Sequence, residues 1–161
     1  MQRRTLPLIL AFALATPLAA LAADNAHNHG AASETHTIQL NNGKKWAIDA
    51  PLRKGMESIQ ASTNKTLHRI HAGKATAADY TAFNKQVNDD VAYIVKNCKL
   101  DPKADAELHG LIGQMMNGAE AAQGKQGDAK RAAGVVAVAK ALNTYGDYFD
   151  HKGWKKIDLG H

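Results

Sequence analysis

The sequence of 161 residues contains one cysteine, Cys98, and only 6% of its residues are aromatic. A single cysteine cannot form an internal disulfide, so packing or a bound cofactor must hold the fold together. The motifs His-Glu-x-x-His and Gly-x-Ser-x-Gly are missing, as is a glycine-rich phosphate loop. Cys98 lies on an apolar helix line, which favours an inert thiol over a nucleophile. We therefore expect a protein that is not an enzyme.

The chain also has no large excess of charge of either sign. The chain has 20 Lys and Arg against 15 Asp and Glu, and residues 1–22 hold two of the basic residues and none of the acidic ones. The remainder carries a net charge of +3, with lysines interspersed among acids. Such a mild, mixed charge favours solubility and argues against nucleic acid as a partner.

The one long uncharged run lies at the beginning of the chain and predicts a signal peptide over residues 1–22. Arg3 and Arg4 form a basic start, a Leu/Ala-rich segment follows, and Ala20-Leu21-Ala22 is a small-x-small cleavage site. The run is too short and Ala-rich for a good membrane span, so we expect no stable membrane insertion after cleavage. The pattern predicts a periplasmic protein, exported by the Sec or the twin-arginine route.

The next two segments differ in composition. Residues 23–34 are polar and contain histidine, which is typical of a flexible tail. Residues 35–48 have β-type composition around Asn42-Gly43, a pair that adopts the positive φ angles of tight hairpin turns. We predict a short β-hairpin over 35–48.

Residues 49–151 show four stretches with apolar residues every three or four positions, the pattern of amphipathic helices. The predicted N-caps are Asp49, Thr76, Asp101 and Asp128. Short loops between helices of about 20 residues indicate an all-α, antiparallel up-down-up-down four-helix bundle. The C-terminal tail, residues 152–161, is expected to return to the surface.

Exported four-helix bundles are a common haem scaffold. Covalent haem is excluded because Cys-x-x-Cys-His is absent. Met56 near the start of helix one and His151 near the end of helix four resemble the ligand positions of periplasmic b-type cytochrome bundles. The resemblance implies haem b bound by Met56 and His151, for electron transfer or sensing. However, a continuous helix would turn His151 about 180° from the core line through Leu142, so His151 points inward only if helix four ends before it.

A second hypothesis places a soft metal ion at the same end of the bundle. Met56, Cys98 and His109 should lie at similar height, and thioether, thiolate and imidazole are donors that Cu(I) prefers. The alternative is an apolar core that happens to contain methionine and cysteine, with His109 on the flank of its helix.

A third hypothesis concerns the N-terminal histidines His27, His29 and His36. Imidazoles one residue apart can share a Cu(II), Ni(II) or Zn ion. A solvated tail without metal is the alternative.

The pattern Trp46-x-x-Asp49-x-Pro51-Leu52-Arg53-x-Gly55-Met56 is similar to a group of small uncharacterised exported proteobacterial proteins. This resemblance implies fold and compartment, and no activity. We expect a small, exported, non-enzymatic binding or accessory protein that binds copper or another transition metal. Haem b and a ligand-free, structural or partner-binding bundle are the alternatives. A periplasmic protein partner and a homodimer both remain open.

Overall fold

The structure, a computed structural model, describes residues 37–125 and 127–160. These residues form four helices and no strand: α1 (Ala50–His71), α2 (Ala77–Asn97), α3 (Pro102–Ala122) and α4 (Asp128–Tyr148). The all-α prediction is confirmed for this part of the chain. Each helix contacts the next one in sequence, and α1 also contacts α4, a packing compatible with a four-helix bundle. None of these helices combines the length and apolarity needed to cross a membrane.

The helix boundaries follow the capping residues in three cases out of four. The Asp49 and Asp101 carboxylates accept hydrogen bonds from backbone N–H groups in the first turns of α1 and α3. Thr76 forms a complete capping box with Asp79 at the start of α2. The predicted cap of α4 is wrong by one residue, because Gly127 with φ 97° is the N-cap and Asp128 is the first helical residue. A left-handed backbone favours glycine at that position, and no side chain caps the helix.

The apolar lines of the four helices face one another and form the core, as their spacing predicts. The side chains with no exposed surface include Leu52, Met56, Ile59, Val87, Leu111, Met115, Val135, Val138, Leu142 and Tyr145. The backbones of α3 and α4 approach each other closely at Gly118 and Gly134. A Cβ atom on Gly134 would lie 2.4 Å from the Gly118 carbonyl oxygen, so only glycine permits this approach.

The predicted hairpin over 35–48 is not a pair of strands in the described residues, and 35 and 36 lie outside them. Asn42 (φ 51°) and Gly43 (φ 81°) form the expected turn, and Asn41 pairs with Lys44. Beyond the turn, Trp46 pairs with Phe149 instead of with the segment before the turn. The Trp46 backbone N–H donates to the Tyr148 carbonyl oxygen at 2.8 Å, and the Trp46 carbonyl oxygen accepts from the Asp150 backbone N–H at 2.8 Å.

Residues 150–160, here called the C-terminal strap, pack along the seam between α1 and α4. Gln60 on α1 donates its side-chain N–H to the Lys155 carbonyl oxygen at 2.8 Å. Asn143 on α4 accepts from the Ile157 N–H at 2.7 Å and donates back to the Ile157 carbonyl oxygen at 3.0 Å. Ile157 is only 5% exposed. Paired amide bonds and one apolar anchor thus fix this segment on the bundle, with most of its residues exposed.

Candidate functional site

The most elaborate polar arrangement in the described residues surrounds His151, where the strap leaves α4. Because α4 ends at Tyr148, the chain turns before His151 and the ring points inward. The His151 side chain is 2% exposed. Its Nδ1 lies 3.0 Å from the Tyr145 hydroxyl oxygen, and its Nε2 lies 3.1 Å from Oε1 of Glu57. Both ring nitrogens are thus in hydrogen bonds with the protein.

The partners of His151 determine where its proton lies. A carboxylate can only accept, so Nε2 donates its proton to Glu57, and Nδ1 then accepts from the Tyr145 hydroxyl. This pattern suits a neutral imidazole. Burial lowers the pKa of His151, the Glu57 hydrogen bond acts in the opposite direction, and the Arg53 charge again favours the neutral ring.

Carboxylate, imidazole and hydroxyl in series resemble a catalytic relay, but access argues for a structural role. The Tyr145 side chain is completely buried, and burial raises its pKa well above the usual range. A substrate therefore cannot reach the hydroxyl at the end of the series. The rings of Phe149 and Trp154 pack against Tyr145 at centroid distances of 5.1 and 5.0 Å. The arrangement positions the strap on the bundle.

Met56 and His151, which the cytochrome resemblance implies as haem ligands, are not arranged to bind haem in this structure. Met56 is fully buried in the apolar core. An axial imidazole binds iron through a free ring nitrogen, and His151 has none, because Tyr145 and Glu57 occupy both. Iron ligation would require one of these hydrogen bonds to break.

Cys98 lies at the end of α2, where it is the C-cap, and contacts the start of α1. Its thiol donates to Oδ1 of Asp49 across 3.3 Å, while Oδ2 accepts from the Lys99 N–H at 2.7 Å. Burial and the Asp49 carboxylate raise the pKa of the Cys98 thiol to about 12. Burial and the bond to Asp49 thus favour the protonated thiol, whereas copper binds the thiolate. Asp49 caps α1, as its position predicts, and it also joins α1 to α2.

His109 lies on the exposed side of α3, with 64% of its side chain accessible. Its Nδ1 donates to the Asp105 carbonyl oxygen at 2.8 Å, one helical turn earlier. The three internal copper candidates thus occupy different environments: Met56 is buried, Cys98 is half-buried and His109 is exposed. Within residues 37–125 and 127–160, no three His, Cys, Asp or Glu side chains form a group able to hold a metal ion.

The N-terminal candidates His27, His29 and His36 lie outside the described residues, as do the predicted signal peptide and tail. Two contributors to the His151 arrangement, Glu57 and Tyr145, were not identified as functional residues from the sequence. Tyr145 lies on the apolar line of α4 with Leu142, and nothing in its spacing indicates that its hydroxyl has a polar partner.

The larger surface grooves lie away from His151. One groove between α3 and α4 has a volume of about 460 Å³ and small, mostly apolar walls. Another groove of about 370 Å³ lies between α1 and α2 and has mixed polar and apolar walls that include the Arg69–Asp79 ion pair. Of the predicted ligand residues within 37–125 and 127–160, none lines either groove.

No family model, curated protein or solved structure matches this chain. Function must therefore be argued from its own residues.

Proposed function

We propose that this is a small exported, non-enzymatic accessory protein that binds a transition metal ion through His27, His29 and His36, with Cu(II) as the preferred ion. In this proposal the helical bundle is the folded scaffold that carries the binding segment. The observation that carries it is the state of the donors in the bundle. Both nitrogens of His151 are hydrogen-bonded, and the Cys98 thiol is held protonated by Asp49.

The N-terminal histidines differ from the donors in the bundle in their sequence context. His27 and His29 are one residue apart, and Asp24 and Glu34 are close enough in sequence to supply carboxylate oxygens. Imidazole nitrogen with carboxylate oxygen is a donor set that suits Cu(II), Ni(II) and Zn. Export is supported by the basic start, apolar run and small-x-small site of residues 1–22.

The test is a calorimetric titration of metal-free residues 23–161 with Cu(II), repeated on two triple variants that each lose three histidines. The first is His27→Ala/His29→Ala/His36→Ala. The matched control is His68→Ala/His71→Ala/His109→Ala, which removes exposed histidines from the described helices. We expect about one Cu(II) per chain in the wild type and the control, and at least a tenfold loss of affinity in the N-terminal variant.

Retention of Cu(II) by the N-terminal variant would contradict the proposal. A Cu(I) competition titration on Met56→Leu/Cys98→Ser tests the internal copper hypothesis in the same preparation. If the protein binds haem b, protein purified from a periplasmic preparation would show a Soret band near 420 nm. That band would replace the metal proposal with haem binding. No metal and no haem at any stage would favour the ligand-free, partner-binding bundle.

A further inference from the structure

The C-terminal strap is attached to the bundle by few contacts beyond those near His151. Ile157 is its one fully buried apolar side chain, and Trp154 is half-buried against Gly146 and Tyr145. The rest of the strap is held by polar contacts: the amide bonds from Gln60 and Asn143, the Arg53 bond to the Lys152 carbonyl oxygen and the Asp147–Lys156 ion pair. Segments with little buried apolar area open at lower free energy than helices of the core. The strap is thus suited to open while the four helices stay folded.

His151 lies at the base of this strap and organises its first turn. The backbone N–H of Trp154 donates to the His151 carbonyl oxygen at 3.0 Å. Gly153, with φ 85°, allows the chain to reverse direction at this turn. The His151 ring contacts both helices that the strap covers, through Glu57 on α1 and Tyr145 on α4. Any change in the hydrogen bonding of this ring therefore acts on the whole strap.

We propose that His151 is a proton-operated latch, and that protonation of its ring releases the C-terminal strap from the seam between α1 and α4 while the four helices stay folded. This goes beyond the proposed metal function and does not depend on it.

The chemistry of the step follows from the two ring nitrogens. A proton taken up at Nδ1 turns an acceptor into a donor, so the Tyr145 hydroxyl loses the partner to which it donates and must reorient. The ring also becomes a cation inside the protein, where charge is costly. When the strap opens, the imidazolium reaches water and both costs disappear.

The charged groups around the ring act in opposite directions. Glu57 attracts the imidazolium, but its side chain is 57% exposed, so water screens that attraction. Arg53 on α1 repels it and also donates to the Lys152 carbonyl oxygen at 3.3 Å. Tyr145 is the titratable group that faces the ring from α4, and Asp150 and Lys152 are its charged neighbours within the strap. The lowered pKa of His151 is consistent with a net preference for the neutral ring when the strap is closed.

Hydrogen exchange at single amides tests the latch on the intact mature chain. The reporters are the N–H groups of Trp154 and Ile157, and a core reference is the N–H of Val87 in α2. Protection factors are measured from pH 7.5 to pH 5.0 and corrected for intrinsic exchange. We expect strap protection to lie well below that of Val87 and to fall by up to tenfold per pH unit below about pH 6.5.

Two variants identify the titrating group. His151→Gln keeps an N–H donor without a titrating ring, so strap protection should lose its pH dependence. Glu57→Gln removes the charge that favours the imidazolium in the closed state, so protection should still begin to fall near about pH 6.5 but continue to fall to lower pH. As a matched control, Asp147→Asn removes an ion pair with Lys156 elsewhere on the strap and should leave the pH dependence in place.

Wild-type protein alone can overturn the proposal. Corrected strap protection that does not change with pH would refute it. So would strap amides that match Val87 at every pH, because the strap would then open only when the whole domain unfolds. An unchanged pH dependence in folded His151→Gln would assign the proton to another group.

Discussion

Replacement of Gly134 by alanine tests how closely α3 and α4 must pack. The added Cβ would lie 2.4 Å from the Gly118 carbonyl oxygen and 2.6 Å from the Ala122 backbone nitrogen. Both are backbone atoms of a helix, so they cannot rotate aside as the end of a side chain can. The two helices must separate instead, and the separation loosens contacts along the whole α3–α4 interface.

The magnitude follows from two opposing effects. Overpacking against rigid backbone costs about 3 kcal/mol, while the better helix propensity of alanine returns about 1 kcal/mol. The net loss is about 2 kcal/mol, which lowers the Tm of a domain of this size by roughly 8 °C. Gly113 on α3 is the matched control, because a Cβ there meets nothing within 4 Å. Gly113→Ala should stabilise the protein by about 0.5–1 kcal/mol.

Urea unfolding followed by circular dichroism at 222 nm measures both variants, and an unchanged m value shows that the unfolded states are comparable. The reasoning is refuted if Gly134→Ala is as stable as the wild type. It is also refuted if Gly113→Ala loses as much stability as Gly134→Ala, since propensity or the unfolded state would then explain both.

Asp49→Ala should destabilise the fold by about 2 kcal/mol in urea unfolding, because it removes the α1 cap and the bond to α2, and Asp49→Asn should lose about half of that. In a pH series, the free energy of unfolding should fall in two steps. The first step lies below about pH 6.5, because the fold lowers the pKa of His151 and the unfolded chain therefore binds the proton at higher pH than the folded one. The second step lies below about pH 4. Partial burial acts to raise the pKa of Asp49, but its backbone hydrogen bonds hold it below the usual value, so that carboxylate contributes to the second step. Only the first step should vanish in His151→Gln. Gly146→Ala places a Cβ 2.3 Å from Cδ1 of Trp154 and should shift tryptophan fluorescence with little change in helix content. An Asn84→Ala variant removes the buried amide that donates to the Ala119 carbonyl oxygen, and thermal unfolding should show a loss of about 2 kcal/mol.

The helices could be predicted because their signals are local. Asp49, Thr76 and Asp101 cap the helices that they were expected to begin, and the apolar spacing of three and four identifies the buried face. The error at Gly127 is also local: a glycine in a left-handed conformation ends the loop without offering a side chain. Sequence patterns of this kind repeat along the chain, so several residues support each prediction.

The arrangement around His151 could not be predicted, because each contact depends on where another element ends. The burial of His151 follows from α4 stopping at Tyr148, and that end is fixed by the pairing of Phe149 with Trp46. The strap has no periodicity, so nothing in its sequence identifies Ile157 as a buried anchor. The contact of Cys98 with Asp49 was easier to predict, because the end of α2 and the start of α1 lie at the same end of an antiparallel bundle.

The backbone pairing of Trp46 with Phe149 joins the segment just before α1 to the segment just after α4. The contacts around it span similar distances in sequence, including 101 residues between Lys45 and Gly146. Such closure can form only after Phe149 has left the ribosome, and contacts between distant residues also slow folding. The segment before α1 therefore stays unpaired until α4 has been synthesised.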